Sequence, residues 1–289
     1  MVSRIALLNA PATPILNVSW YKFVAIDDVE TLRSAVRERA VQAGVRGTVL
    51  LAREGINLFL AGPEGGLRAF LAWLRDHERF ADMEAKESWS ADLPFKRLIV
   101  KVKAEIIRMN CPTVNPAAGR APAVSADTLA RWLDSGRDDD GRPVVMLDTR
   151  NAFEIEHGGF TNALNWNISK FSEFPTALAQ HKDELANKTV VSYCTGGIRC
   201  EKAALLMAEV GVQNVLQLDG GILKYLETQG ASPAGKHYNG TCFVFDEREA
   251  VDATLAAAAS DTEVNGAPLS ARARARARAL PSADAKDTR

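Results

Sequence analysis

Val190-Val191-Ser192-Tyr193-Cys194-Thr195-Gly196-Gly197-Ile198-Arg199-Cys200 decides how the second half of this chain folds. A short apolar run ends at a cysteine, and two glycines permit a tight loop. A helix is then predicted over 200–210, with Ala203, Leu206 and Met207 on one face. The pattern recurs on either side. Val144–Leu147 is an apolar run ending at Asp148, and Val215–Leu218 ends at Asp219, where Gly220-Gly221 leads into a helix predicted over 222–227. Upstream, Ser125 is placed to cap a helix around Leu129 to Leu133. Fully apolar strands alternating with helices predict a parallel sheet buried on both faces. Ligands bind such sheets at the C-terminal ends of the strands, which is where Asp148, Cys194 and Asp219 fall. This α/β domain is expected over 125–232.

The first half is patterned differently. Trp20–Ile26 predicts a strand, and Asp27 or Asp28 can cap a helix whose apolar face is Val29, Leu32, Val36 and Ala40. Gly47–Ala52 and Ile56–Leu60 predict two strands joined through Arg53-Glu54-Gly55 as a hairpin. Pro63 and Glu64 open a second helix with Leu67, Phe70, Leu71 and Leu74 on one face, and Leu98–Val102 is the last strand. The order β-α-β-β-α-β is the ferredoxin-like plan, so an α+β domain is expected over 18–110. Residues 111–124, with Pro112, Pro116, Gly119 and Pro122, are expected to form a linker. An extension follows over 233–250. From 251 to 289 the chain is of low complexity, with Arg272, Arg274, Arg276 and Arg278 alternating with Ala, which predicts a disordered tail.

Composition narrows the function class. At about 150 residues per domain, 289 residues agree with two domains. A content of 47% hydrophobic and 25% charged residues excludes collagen-like, coiled-coil and wholly disordered chains. Thirty-five Lys plus Arg against 36 Asp plus Glu leave a net charge of −1, so a nucleic-acid partner must find a local basic surface. Four cysteines (Cys111, Cys194, Cys200 and Cys242) are too few and too scattered for a disulfide scaffold, and no CxxC pair offers a zinc site. The apolar run Ile5–Leu8 is too short for a signal peptide, and no stretch reaches the roughly 18 apolar residues of a membrane span. A reduced, cytoplasmic protein is the expectation.

The loop itself points to sulfur chemistry. Backbone N–H groups of a Gly-rich turn at the start of a helix converge on the Cys194 sulfur, and the positive helix end adds to them. An ordinary thiol of pKa near 8.5 is only about 3% thiolate at pH 7, and a downward shift of roughly two units makes it mostly thiolate. Cys194 is therefore the candidate nucleophile, Arg199 the charge that closes the loop, and Thr195, Gly196, Gly197 and Ile198 the cradle. Four residues separate Cys194 from Arg199. Cysteine phosphatases need a longer loop to surround a phosphate; this smaller ring suits a single sulfur atom.

Residues 125–230 resemble a rhodanese domain in Asp148-Thr149-Arg150, in Phe153-Glu154 through His157-Gly158-Gly159, in Ala163-Leu164-Asn165, in the loop above, and in Leu218-Asp219-Gly220-Gly221. Three further motifs narrow the resemblance: Arg53-Glu54-Gly55-Ile56-Asn57, Cys194 through Lys202, and Phe243-Val244-Phe245-Asp246-Glu247-Arg248. Over residues 20 to 250 the chain is similar to the oxygen-dependent tRNA uridine hydroxylase (TrhO) family. Many members continue into a Cys-rich C-terminal segment that looks metal-binding; here only Cys242 lies beyond the rhodanese-like domain, so that segment's role does not carry over.

The resemblance implies hydroxylation of the wobble uridine, position 34 of tRNA, to 5-hydroxyuridine, with molecular oxygen as co-substrate and tRNA as partner. No facial triad for iron and no GxGxxG flavin fingerprint are visible, so no resident cofactor and no metal is expected. A persulfide-forming sulfurtransferase is the alternative, because the loop reports an activated sulfur and not its fate.

Several residues carry two readings each. Cys200 is a candidate second, resolving thiol or a small residue packing the helix. Cys111 belongs to the linker or faces the active site. Asp148 and Arg150 read as structural ion-pair formers, and His157 as scaffold rather than general base. A hairpin explains Gly55 and Asn57 through their tolerance of unusual backbone angles, but not Arg53 and Glu54, for which the resemblance suggests a place facing the catalytic loop or RNA. Lys96, Arg97, Lys101, Lys103 and Arg108 form a basic stretch in which alternation puts Lys101 and Lys103 on one face, suited to phosphate or simply to solvent.

Overall fold

The computed structural model describes residues 14–230 and 236–258, with the pairs 263–264 and 267–268. It contains two compact units, 1–106 and 107–289.

The first unit runs β1 (Ile15–Phe23), α1 (Val29–Gln42), β2 (Arg46–Ala52), β3 (Gly55–Pro63), α2 (Glu64–Arg75), β4 (Lys86–Ser90) and β5 (Leu98–Val102). Its sheet has the order β4-β1-β3-β2-β5, antiparallel except for the parallel β2–β5 pair. This is the ferredoxin-like order with one strand added beside β2. Leu16, Val18 and Trp20 of β1, Leu58 and Leu60 of β3, and Val49 and Leu51 of β2 bury one face against Leu32 and Val36 of α1 and Phe70 and Leu74 of α2.

Three local expectations need correction. Leu98–Val102 is the fifth strand, not the fourth. The fourth is Lys86–Ser90, whose Lys-Glu-Ser-Trp-Ser sequence hides it because an edge strand needs no apolar alternation. The first strand starts at Ile15 and stops at Phe23; Asn17 masks its start, reading as polar yet buried, with its amide on the Ser88 carbonyl and Ser90 hydroxyl. Asp28 precedes α1 but makes no side-chain cap, because its carboxylate accepts two hydrogen bonds from Arg79 instead.

The second unit runs β6 (Ala123–Val124), α3 (Ala126–Ser135), β7 (Val144–Asp148), α4 (Ala152–Ile155), β8 (Gly158–Phe160), β9 (Leu164–Asn165), α5 (Phe174–His181), β10 (Thr189–Tyr193), α6 (Ile198–Glu209), β11 (Val215–Leu218), α7 (Gly221–Gln229), β12 (Tyr238–Gly240), β13 (Cys242–Phe243) and β14 (Ala250–Val251). Five strands form a wholly parallel sheet in the order β6-β11-β10-β7-β9. Alternation along the central strands feeds two cores. Val190 and Leu147 pack with Phe174 and Leu178 of α5 and Ala203 and Met207 of α6. Val191, Tyr193 and Met146 pack with Leu129 of α3 and Ile222 and Tyr225 of α7. The sheet is therefore covered on both faces, as its apolar strands require.

The expected linker is not a free connection. Met109, Val114 and Ala121 are buried in the second unit's core. Structure also continues past 250. Val251 is buried, the Asp252 carboxylate accepts from the N–H groups of Thr254 and Ala256, and the Ala258 N–H returns to the Ala250 carbonyl. The Arg272–Arg278 run lies outside the described residues. No helix among the described residues is long and apolar enough to cross a membrane.

Candidate active site

Cys194 follows β10 directly, at the C-terminal edge of the parallel sheet, and its sulfur is fully buried. The chain must reverse between β10 and α6 within four residues, which Gly197 achieves at φ +100° as the residue before α6. Its N–H donates to Cys194 Sγ at 3.1 Å. The loop is seated on α7: the N–H groups of Ile222 and Leu223 donate to the carbonyls of Cys194 and Thr195 at 2.9 and 3.0 Å. Gly221, at φ +67°, makes this approach possible, since a Cβ there would stand 2.5 Å from the Cys194 carbonyl oxygen. Neither the seat nor the role of Gly221 was legible from the loop sequence.

Burial alone would raise the pKa of the Cys194 thiol. It is overcome by a hydrogen bond from the Cys200 thiol, the Arg199 charge, and the N–H groups of Arg199 and Gly197, which together bring it down to about 5. The positive end of α6 acts in the same sense. Cys200, also buried, is pushed well up by burial and by the neighbouring sulfur, so it stays a thiol and can donate. Thr149 Oγ1 lies 3.7 Å from Cys200 Sγ and donates to the Tyr193 carbonyl. Both cysteines are free thiols.

Arg199 is not a bare charge closing the loop. Its guanidinium is buried in a two-pronged pair with Glu154, Nη1 to Oε2 at 2.5 Å and Nη2 to Oε1 at 2.7 Å. Burial disfavours the guanidinium charge and Glu154 more than offsets this, so Arg199 stays charged. Glu154 also accepts from the Asn151 N–H, capping α4, and lies within 3.5 Å of the Thr195 hydroxyl. One carboxylate thus ties α4, the Cys194 loop and α6 together. The motif containing Glu154 was visible in the sequence; its partner was not.

The extension lies over this cluster. The Thr195 hydroxyl donates toward the Phe243 carbonyl at 3.4 Å, and the Phe243 ring meets Phe153, His157 and Phe245 edge-on or tilted. The Arg199 guanidinium carbon lies 5.9 Å from the centre of the Phe245 ring, which is 38% exposed. Cys242 is buried, with its thiol pushed up to about 12 mainly by burial. Gly196 is the one loop residue from 194 to 199 that is not fully buried.

Asp148 and Arg150 form a fully buried pair at 2.6 Å, and Arg150 Nη2 also donates to the Gly158 carbonyl. His157 holds the Thr241 N–H through its carbonyl. Cys111 is half-buried beside Thr113 and packs on the core that contains Ala204. In the first unit, Glu54 Oε1 accepts from the Ile106 N–H at 2.7 Å, and the Asn57 amide donates to the Ile106 carbonyl at 3.4 Å. Asn57 is extended within β3 rather than in the turn, opposite Tyr21 and Leu50. Arg53 lines an open pocket with Lys103 and the acidic Asp27, Asp28 and Glu30. Lys101 is exposed on β5. No group of three or more His, Cys, Asp or Glu among the described residues is arranged to hold a metal.

Fold and site together define a two-domain α/β protein with a buried cysteine of lowered pKa in a rhodanese-type loop. Residues 15–106 match the UPF0176 acylphosphatase-like domain, and residues 125–228 match the rhodanese-like domain. The chain is 59% identical over 253 residues to a tRNA uridine(34) hydroxylase of Variovorax paradoxus (strain S110), covering 88% of this chain and 95% of the relative. It is 59% identical over 241 residues to one from Bordetella avium (strain 197N), covering 83% and 98%. The chain belongs to the tRNA uridine(34) hydroxylase family.

Proposed function

We propose that this chain is a cytoplasmic tRNA-modifying oxidoreductase that hydroxylates uridine 34 at C5, with molecular oxygen as oxidant and Cys194 as the reacting group. The observation that carries the reading is the Cys194 sulfur, buried at the positive end of α6 with its pKa lowered, in a chain 59% identical to a relative named tRNA uridine(34) hydroxylase.

A thiolate so held can add to C6 of uracil, moving the electron pair of the C5–C6 double bond onto C5. C5 then bonds to oxygen. One oxygen atom stays on C5, and the other leaves as water once a thiol reductant has delivered two electrons and two protons. Loss of the C5 proton and departure of the Cys194 sulfur from C6 restore the double bond. Arg199, the Gly197 N–H and the Cys200 thiol stabilise the sulfur as an anion before attack and after release. Thr195, Gly196 and Ile198 form the wall around it.

The rhodanese-like match supports a second reading, transfer of a persulfide sulfur from Cys194. Mass spectrometry of tRNA nucleosides separates the two, using cells lacking this gene and complemented with wild type or Cys194→Ser. Loss of 5-hydroxyuridine and its derivatives, restored by wild type alone, is the expected result. Unchanged nucleosides in the deletion strain would favour sulfur transfer. Rescue by Cys194→Ser would remove the sulfur-addition chemistry. A tRNA carrying 5-fluorouridine at position 34 should trap a covalent adduct on Cys194.

A further inference from the structure

We propose that the face of the first unit's sheet turned away from α1 and α2 is a surface for single-stranded RNA, and that its ligand is the unpaired anticodon loop of the tRNA. The proposal rests on the tRNA-modifying reading above and adds where the loop is held.

The register of the five strands assigns the face. Leu16, Val18 and Trp20 of β1 turn to the helices, so Asn17, Ser19, Tyr21 and Phe23 turn to the other side. On that side Phe59 of β3 stands opposite Ser19, and Asn57 opposite Tyr21. Tyr21 and Phe59 are therefore diagonal neighbours on the two central strands, roughly 7 Å apart. Both are half-buried. Basic side chains surround them: Lys86 on β4, with Nζ 5.5 Å from the Tyr21 ring centre, Arg46 on β2, and Lys101 on β5. Arg46 and Lys101 are exposed. No strand position on this face is occupied by Asp or Glu, although the chain as a whole has a net charge of −1.

Charge concentrated in this way on one face fits a polyanion. The two rings choose the form of it. Bases in a duplex are stacked on one another and closed to side chains, whereas unpaired bases stack on aromatic rings set on a sheet. An acidic protein would match the lysines but would leave the two aromatic side chains without a purpose. The nucleotide to be modified lies in an unpaired loop, which matches rings and charges together.

The test is fluorescence anisotropy with the full chain, comparing an anticodon stem–loop RNA with a blunt duplex of the same stem. Tighter binding of the stem–loop is expected. Tyr21→Ala and Phe59→Ala should each weaken it about five- to a hundredfold while leaving duplex binding nearly unchanged. Lys101→Glu, at an exposed position, should weaken both RNAs and reduce the salt dependence of binding. Tyr21→Phe should retain wild-type affinity. Folded Ala and Glu variants that bind the stem–loop like wild type would overturn the proposal, as would capture of an acidic protein in place of RNA. Nucleoside analysis keeps the two readings apart. Active variants with unaltered RNA binding overturn only this surface, whereas loop binding through this face without 5-hydroxyuridine formation overturns only the hydroxylase reading.

Discussion

Arg199 and Glu154 meet through two parallel hydrogen bonds in a buried setting, across 45 residues of sequence. The pair sets how much of the Arg199 charge reaches the Cys194 sulfur. A carboxylate that neutralises the guanidinium holds it in place at the expense of its field.

Glu154→Gln should expose this balance. Breaking a buried pair leaves an uncompensated charge and costs about 3 kcal/mol, which urea denaturation would measure. The unpaired guanidinium then acts more strongly on Cys194, so the acid limb of the kcat/KM profile should move to lower pH. A residue that served packing alone would lower stability without moving the limb.

The Cys194 thiol itself has a lowered pKa, from an ordinary 9.0 to about 5. A group whose folded pKa is depressed stabilises the fold fully above its unfolded value and loses that contribution as pH falls through the folded value. The stability difference between wild type and Cys194→Ser should therefore grow from about pH 5 to about pH 9 and be smallest in acid. Denaturation midpoints across that range check it. Cys200 owes part of its upward shift to the Cys194 sulfur and part to burial, so the comparison is read below about pH 9, where Cys200 is a thiol in both proteins.

The extension packs over the loop that carries Cys194. Phe243 packs against Phe153, His157 and Phe245 while Cys194 has no exposure. Phe243→Ala removes a buried ring, a change that typically costs about 3 kcal/mol, and should open the segment locally. Alkylation of Cys194 by iodoacetamide, followed by peptide mass spectrometry, should become at least tenfold faster. An unchanged rate would mean that the sulfur is reached by another route.

Gly221→Ala tests the seat of the loop. An added Cβ would stand 2.5 Å from the Cys194 carbonyl oxygen and 2.8 Å from the Gly197 nitrogen, at a left-handed φ of +67°. Strain of about 2 kcal/mol or more is expected, with activity falling further than stability if Cys194 is the reacting group, because its loop must move. Thermal unfolding and nucleoside formation measured on the same preparation check both effects.

Most of the fold was legible from local patterning. The runs at 144–147, 190–193 and 215–218 are strands because burial on both faces favours apolar residues, the buried Ser192 and Gln217 being satisfied by the Leu216 and Ala121 carbonyls, and the helix faces at 29–40 and 67–74 follow the 3.6-residue period. Lys86–Ser90 was not legible, because a strand at a sheet edge is held by backbone hydrogen bonds that any sequence can make. In the 111–124 segment, expected as a linker, the prolines and glycine describe irregular backbone, not whether that backbone packs, and Val114 and Ala121 are buried.

By itself the sequence determined two α/β units, a strand–loop–helix bearing Cys194, and the residue types that lower the pKa of its thiol, since each depends on neighbours within about a dozen positions. Only the tertiary structure decided that Glu154 holds Arg199, that α7 seats the loop through Gly221, that Phe243 covers it, and that Tyr21 and Phe59 share a basic face. Those are meetings of distant segments. Strand register and helix packing set them, and no local periodicity encodes them.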